Sequence, residues 1–239
     1  MTGPAGEDLP TDEDLPTDGG ELLTPWAVLD DYQCFGCSPH NPHGLRLRFR
    51  ERPDGLAASF RLGRAHESYP GVVHGGLVGV ICDETMGNLL VLRTGRPAFT
   101  TAMRVRYLAP MPVDVPHECR ARITTELPAA DPPGTDPPGT DVVASGPPTG
   151  GPPTSGLPAN GLISAEAEIL NAAGDLVATA RATYRPVDLD AARDRIQLSD
   201  RAAGRLADAL AAPAVPAVPA TAPAPVPAAA AAVPAAEES

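Results

Sequence analysis

Residues 70–92 read PGVVHGGLVGVICDETMGNLLVL and carry the most informative pattern of this chain. After its Pro-Gly and Gly-Gly turns comes an apolar run with no proline and only two charges, which predicts a helix that begins near Gly75 and runs for about four turns. Three glycines and one acid recur on this helix with spacings of three, four and four, which defines one face: Gly76, Gly79, Asp83 and Gly87. The Asp83 carboxylate is therefore the one functional group on a face nearly bare of side chains.

The loop before the predicted helix is typical of an anion-binding site. Backbone N–H groups are free at a helix start, and Gly75 and Gly76 expose them without an obstructing Cβ, with His74 beside them as a donor or orienting group. Such a site suits the oxyanion of an acyl-transfer reaction. The alternative is a core helix whose glycines serve close packing, with an acid that caps a helix or pairs with an arginine.

The sequence Val-His-Gly-Gly at 73–76, followed nine residues after the histidine by an aspartate, resembles the His-Gly-Gly…Asp pattern of the PaaI-like hotdog-fold thioesterases. The resemblance implies that His74, Gly75 and Gly76 form the oxyanion side and that Asp83 is the catalytic carboxylate. Some members have a threonine that assists the acid. Thr100 is the best-matching position, although its neighbour Thr101 leaves the register open.

The resemblance covers about residues 32–186 and implies a substrate class. It includes CFGC at 34–37, NPHGL at 41–45 and TTAMRVRY at 100–107. The family acts on acyl-coenzyme A esters without a cofactor, so we expect no cofactor here. The candidate substrate-binding residues are Asn41, Glu84, Arg104 and Arg106, the two arginines as partners for the phosphates of coenzyme A.

The rest of the chain predicts an α+β hotdog fold, in which an antiparallel sheet of about six strands wraps one long central helix. Period-two alternation marks the strands, at 45–49, 56–62, 100–108, 115–127, 161–170 and 176–187. Segment 25–210 is then one domain with a Pro/Gly-rich insertion at 128–160. Segments 1–24, which is acidic, and 211–239, which is rich in alanine and proline, are predicted to be disordered tails.

Charge and composition exclude several classes of protein. The net charge of −12 comes from acids in the tails and the insertion, and the 18 arginines of the body are balanced by 18 acids, so no basic stripe for nucleic acid is expected. The first twenty residues lack the basic and apolar regions of a signal peptide, and no uninterrupted apolar run is long enough for a membrane span. We therefore expect a cytoplasmic protein with reduced cysteines.

The spacing Cys34-x-x-Cys37-x-x-His40-x-x-His43 raises the question of a zinc site. Four ligands within ten residues are too crowded, because structural zinc sites usually insert a dozen or more residues between ligand pairs. A redox Cys-x-x-Cys is a further alternative. We expect a tight turn that leads into a strand, and no metal.

The positions of the candidate groups predict a dimer. Asp83 and the Gly75-Gly76 amides are about eight residues apart, or roughly 12 Å along a helix, so one thioester carbonyl cannot touch both within one chain. A composite site in a homodimer, or in a dimer of dimers, removes this conflict. The alternative functions are a hotdog module that binds an acyl thioester or acyl carrier without hydrolysis, and enoyl hydration, whose Asp-x-x-x-x-His motif the chain lacks.

Overall fold

The computed structural model describes residues 21–22, 25–124 and 161–211 of the 239-residue chain. The predicted insertion at 128–160 lies outside the described residues, as do nearly all of the predicted tails at 1–24 and 211–239. The fold described below is therefore that of the predicted central domain.

The described residues form nine strands and three α-helices. The strands are β1 (Glu21–Leu22), β2 (Arg48–Arg52), β3 (Gly55–Arg61), β4 (Glu67–Tyr69), β5 (Val72–Val73), β6 (Ala98–Tyr107), β7 (Pro116–Ile123), β8 (Ile163–Asn171) and β9 (Leu176–Pro186). The α-helices are α1 (Gly75–Thr94), α2 (Leu189–Ile196) and α3 (Asp200–Ala211), and short 3-10 helices span Pro25–Val28 and Arg64–His66.

Seven strands make one antiparallel sheet in the order β1-β2-β3-β7-β8-β9-β6, and β4 pairs with β5 separately. Helix α1 packs against β3, β6, β7, β8 and β9, so it is the central helix of the sheet. This confirms the predicted hotdog fold. The six predicted strands are β2, β3 and β6 to β9, and the seventh is the two-residue β1, which pairs with β2.

Helix α1 is 20 residues long, longer than the four turns predicted. Nothing between Leu92 and Gly95 interrupts it, and Gly95 ends it in the left-handed conformation (φ 63°), donating its N–H to the Val91 carbonyl at 2.9 Å. The helix is long and apolar enough to cross a bilayer by length and composition, but 56% of that window is buried within the fold. It is therefore the core helix of the domain.

Small residues on the inner face of the sheet let α1 lie close to it. Five inner positions of β8 and β9 are buried alanines, namely Ala165, Ala167, Ala178, Ala180 and Ala182. The opposite face carries charges, and the register places Arg122 opposite Glu166, with which it forms an ion pair.

The hairpin of β2 and β3 gives a stability prediction. An added Cβ at Gly55 would lie 1.9 Å from the Ala121 carbonyl oxygen in β7, so Gly55→Ala must shift the backbone and is expected to lower the free energy of unfolding by roughly 1–3 kcal/mol. The matched control is Gly204→Ala in α3, where nothing lies within 4 Å of the added Cβ. That variant is expected to gain about 0.5–1 kcal/mol. Urea unfolding measures both, and a neutral Gly55→Ala would contradict the packing of β3 on β7.

Candidate active site

The start of α1 is capped by a histidine. His74 has extended backbone angles, and its Nδ1 accepts a hydrogen bond from the Gly76 N–H at 2.9 Å, which places the ring proton on Nε2. The Leu77 N–H donates to the His74 carbonyl at 2.9 Å. Of the two glycine amides predicted to form the anion site, that of Gly76 is thus used by the cap. The Gly75 N–H has no acceptor among the residues that the structure describes.

Asp83 lies in the third turn of α1, half-buried, and its carboxylate is held at one oxygen. The Thr100 hydroxyl donates to Oδ1 at 2.8 Å and the Tyr184 hydroxyl donates to the same atom at 2.9 Å. Within the described part of the chain no donor reaches Oδ2. One oxygen therefore fixes the orientation of the carboxylate, and the other is available to a ligand or a water molecule.

A β-bulge in β6 decides which of the two threonines reaches Asp83. Thr100 pairs with Tyr184 of β9, and Ala102 pairs with Thr183, so Thr101 is the extra residue between them. Plain alternation would have put Thr101 on the helix-facing side of β6. The bulge turns Thr100 toward the helix instead, while the Thr101 hydroxyl bonds to Thr183 at 2.8 Å. Of the two threonines, Thr100 is therefore the one that contacts Asp83, and its catalytic role stays a prediction.

The sequence did not predict that Tyr184 contacts Asp83. Its side chain is 1% exposed, and its hydroxyl lies where β9 passes Asp83. Burial, and then the charge of Asp83, raises the pKa of Tyr184, so the phenol remains a hydrogen-bond donor. The available signal was its place in the last strand, where it continues the inward-facing alanine positions and is the one polar side chain among the inward-facing residues of β9.

Side chains of the same chain cover the glycine face of α1. An added Cβ at Gly79 would lie 3.7 Å from the Met103 methyl group, and one at Gly87 would lie 3.9 Å from the Tyr184 ring. At the start of the helix the Tyr107 hydroxyl donates to the Gly75 carbonyl at 3.0 Å. The glycines thus let α1 pack closely on β6 and β9, and these strands deliver the hydroxyls to Asp83.

Three of the predicted substrate-binding residues lie away from Asp83. Asn41 closes its own loop, since its Nδ2 donates to the Gln33 carbonyl at 3.1 Å and its Oδ1 accepts the His43 N–H at 3.0 Å. Arg104 and Arg106 are exposed and alternate with the helix-facing residues of β6, so they lie on the outer face of that strand. Their roles toward substrate stay predictions.

Glu84 belongs to a second cluster, on a different face of α1 from Asp83. Its Oε2 accepts a hydrogen bond from the Cys34 thiol at 3.4 Å, and its Oε1 accepts one from Asn88 Nδ2 at 2.8 Å. Cys37 is part of the same group, because one ligand atom of each of Cys34, Cys37 and Glu84 lies within 4.8 Å of the others. Within the described chain Glu84 thus contacts a cysteine loop and Asn88, and its predicted contact to substrate stays a prediction.

The surroundings of this cluster lower the pKa of Cys34 and raise the pKa values of Cys37 and Glu84. The hydrogen bond from the Cys37 thiol is the main cause that lowers the pKa of Cys34 to about 5, and the same bond raises the pKa of Cys37. Burial, and then the charge of Cys34, raises the pKa of Glu84 to about 7. His40 and His43 of the Cys-x-x-Cys-x-x-His pattern are both exposed and outside this group, and the predicted turn is present.

The cap gives a prediction that separates a structural from a chemical role of His74. His74→Ala removes the acceptor of the Gly76 N–H and is expected to lower the free energy of unfolding by about 0.5–2 kcal/mol, while His74→Asn, a good cap, is expected to retain most of it. Thermal or urea unfolding measures this. Loss of turnover in a stable His74→Asn protein would show that the ring also contacts the substrate; equal stability of both variants with wild type would contradict the cap.

The segment that holds these groups matches a known family. Residues 70–125 match the model of the thioesterase superfamily. None of the curated proteins matches this chain. These matched residues contain the histidine cap, Asp83 and Thr100, but not Tyr184.

Several solved structures are similar to this chain. One is a thioesterase superfamily protein with 15% identity and a TM-score of 0.47, where the match covers 72% of this chain and 70% of that chain. A second is a putative thioesterase related to phenylacetic acid degradation from Ralstonia eutropha JMP134, with 19% identity, a TM-score of 0.44, and coverage of 64% and 92%. A third is a hypothetical thioesterase from Streptococcus pneumoniae TIGR4 with coenzyme A, with 15% identity, a TM-score of 0.43, and coverage of 59% and 86%.

The match of residues 70–125 to the thioesterase superfamily, on a chain whose described part has the hotdog arrangement, confirms the resemblance to hotdog thioesterases that the sequence predicts.

Proposed function

We propose that this protein hydrolyses an acyl-coenzyme A thioester to the free acid and the thiol, with Asp83 as the reacting carboxylate. The observation that carries the proposal is the state of this carboxylate: Oδ1 is fixed by Thr100 and Tyr184, and no described residue donates to Oδ2. It lies within the segment that matches the thioesterase superfamily. An oriented carboxylate with one free oxygen is suited to act as a general base or as a nucleophile.

The two routes differ in which atom attacks the thioester. In the first, Oδ2 takes a proton from water while the water oxygen bonds to the carbonyl carbon, and the C–S bond then breaks to release the thiolate, which takes up the proton. In the second, Oδ2 bonds to the carbonyl carbon itself, the thiolate leaves, and water then hydrolyses the resulting mixed anhydride. In both, Thr100 and Tyr184 hold Oδ1, and the pair is expected to keep Oδ2 aimed at the substrate.

The Gly75 amide is the proposed donor to the thioester oxygen. It is the first residue of α1, where the helix dipole is positive, and its N–H lacks an intramolecular acceptor among the described residues. The Gly76 amide, which was predicted to share this role, is bonded to His74 at 2.9 Å. Its contribution is therefore indirect, through the cap that orients the loop.

Two chains are needed for one such site. Gly75 and Asp83 lie on the same helix, about 12 Å apart at 1.5 Å per residue, so a single carbonyl cannot reach both in one chain. The proposal is a homodimer in which the Gly75 amide of one protomer faces Asp83 of its partner. It is supported by β6, the last strand of the sheet order, whose Phe99, Met103 and Tyr107 are 36%, 38% and 58% exposed.

Coenzyme A is proposed as the thiol of the substrate because the sequence motifs resemble those of the PaaI-like hotdog thioesterases. Its phosphates require cationic partners, and Arg104 and Arg106 are exposed on the outer face of β6. The acyl group would then lie on the inner side of that strand, next to Asp83.

The first test removes the carboxylate and, separately, its threonine. Asp83→Asn is expected to lower the turnover of acyl-coenzyme A esters at least about a hundredfold, which is a typical general-base contribution. Thr100→Val is expected to lower it by roughly tenfold, because a hydrogen bond to a charged group is worth about 1.5 kcal/mol or more. Release of free thiol from a panel of acyl-coenzyme A esters measures both.

The matched control for this test is Thr101→Val, whose hydroxyl bonds to Thr183 and not to Asp83. It should retain wild-type turnover within about twofold, since surface changes away from a site have small effects. Asp83→Asn with unchanged turnover would contradict the assignment. Binding of acyl-coenzyme A by wild type without any thiol release would favour the binding module instead.

The second test asks whether the site is shared between protomers. Gly75→Pro deletes the N–H at the first position of α1, where proline is well accepted, and His74 already has the extended conformation that a following proline requires. An Asp83→Asn chain and a Gly75→Pro chain should each be inactive as homodimers. After random subunit exchange the mixture should recover about one quarter of wild-type activity, because each heterodimer then holds one intact site.

Gly75→Ala is the control for the exchange experiment, since it keeps the N–H and its Cβ would lie 3.4 Å from the Tyr107 ring, an ordinary contact. It should remain active as a homodimer. No recovery in the mixture, with heterodimers shown to form and both chains folded, would mean that Asp83 and Gly75 of the same chain serve one substrate or that Gly75 has no role.

A further inference from the structure

The segment before β2 places two thiols against an acid of α1. The Cys34 and Cys37 sulfurs and a Glu84 carboxylate oxygen all lie within 4.8 Å of one another, and Cys34 Sγ is 3.4 Å from Glu84 Oε2. Neither the proposed hydrolysis nor the packing of α1 on the sheet uses these groups. We infer that Cys34, Cys37 and Glu84 bind a single zinc ion.

The distances fit a tetrahedral ion. With Zn–S of about 2.3 Å and Zn–O of about 2.0 Å, two ligands of a tetrahedral site are about 3.5 Å apart for a sulfur and an oxygen, and about 3.8 Å apart for two sulfurs. The observed 3.4 Å between Cys34 Sγ and Glu84 Oε2 matches the first value. All three ligand atoms lie within 4.8 Å of one another, which is compatible with the sulfur-to-sulfur distance of about 3.8 Å.

Each ligand is oriented by a hydrogen bond from its surroundings. The Gly36 N–H donates to Cys34 Sγ at 3.3 Å, and the Tyr32 hydroxyl lies 3.3 Å from Cys37 Sγ, where it is a donor to a thiolate. Asn88 Nδ2 holds the Oε1 atom of Glu84 at 2.8 Å, which leaves Oε2 facing the sulfurs. Metal sites require this kind of outer support, because it fixes the ligand atoms and stabilises their negative charge.

A glycine makes the approach of the cysteine loop to the helix possible. An added Cβ at Gly36 would lie 2.5 Å from Glu84 Oε2, so any other residue at this position would push the loop and the carboxylate apart. The loop is also fixed on its other side, since the Leu45 and Leu47 N–H groups donate to the Phe35 and Gly36 carbonyls at 2.7 and 2.9 Å. The backbone thus holds the two sulfurs at the carboxylate from both sides.

The charges of the cluster favour a cation. Cys37 is 7% exposed, and two thiolates beside a carboxylate are costly to bury unless a positive charge is present. Zinc offsets most of this charge, displaces the thiol protons into solvent, and suits a ligand set of two thiolates and one carboxylate. Cys34 is partly exposed, so the fourth position is open to water. The ion would fasten the segment that precedes β2 to the central helix.

Cobalt is the probe for this site, because Co²⁺ substitutes for zinc and reports bound thiolates through sulfur-to-cobalt absorption. The reduced, metal-free full chain is titrated with Co²⁺ without oxygen. Wild type is expected to bind one ion per chain with this absorption, and Zn²⁺ is expected to abolish it. The Cys34→Ser/Cys37→Ser chain is expected to lose it, whereas the Cys82→Ala/Cys119→Ala chain, which removes two buried thiols elsewhere, is expected to keep it.

Glu84→Gln isolates the helix ligand without touching a thiol. It is expected to keep the sulfur absorption but to weaken Co²⁺ binding by at least the roughly 10–100-fold that loss of an outer partner costs. Circular dichroism checks that each variant is folded, and elemental analysis of the purified wild type should find zinc. A reduced wild type without sulfur-to-cobalt absorption would overturn the proposal, as would a chain isolated with a Cys34–Cys37 disulfide that binds no Co²⁺ once reduced. Equal binding by Glu84→Gln would remove Glu84 from the site.

Discussion

The burial of α1 against the sheet controls where the polar groups of this domain lie. A 20-residue helix packed against five strands has little surface left for polar groups, so each acid on it must find partners on the elements that cover it. Asp83 and Glu84 are adjacent in sequence but about 100° apart around the helix. The first is partnered by strand hydroxyls and the second by a cysteine loop. One dipeptide thereby serves two clusters with different chemistry.

The partners of Asp83 come from two strands that are distant in sequence and adjacent in the sheet. Thr100 and Tyr184 are paired across β6 and β9, so their hydroxyls reach the carboxylate from the same level of the sheet. The bulge at Thr101 brings this about, and bulges of this kind often re-aim a side chain next to a site. Glycines on the helix bring the strands close enough for both bonds. The close packing of α1 on β6 and β9 therefore also sets the geometry around Asp83.

The amide that remains free at the helix start results from how the cap is built. A histidine cap uses its ring nitrogen to accept the Gly76 N–H, which leaves the Gly75 N–H at the positive end of the helix without an acceptor in the described chain. A preorganised donor of this kind needs no rearrangement when negative charge develops on a carbonyl oxygen. Its distance along the helix from Asp83 is the physical reason that a site using both groups needs two chains.

The fold class, the central helix and the position of Asp83 on it could be predicted from the sequence, because they follow from local spacing and from alternation between polar and apolar residues. The sequence also placed Thr100 near the acid through a motif, but it could not choose between Thr100 and Thr101, since a bulge is not visible in a two-residue period. The contact of Tyr184 with Asp83 and that of Glu84 with Cys34 and Cys37 could be seen only in the folded chain. Those partners are 101 and 50 residues apart, and contacts across such separations depend on strand order and loop packing that no local pattern encodes.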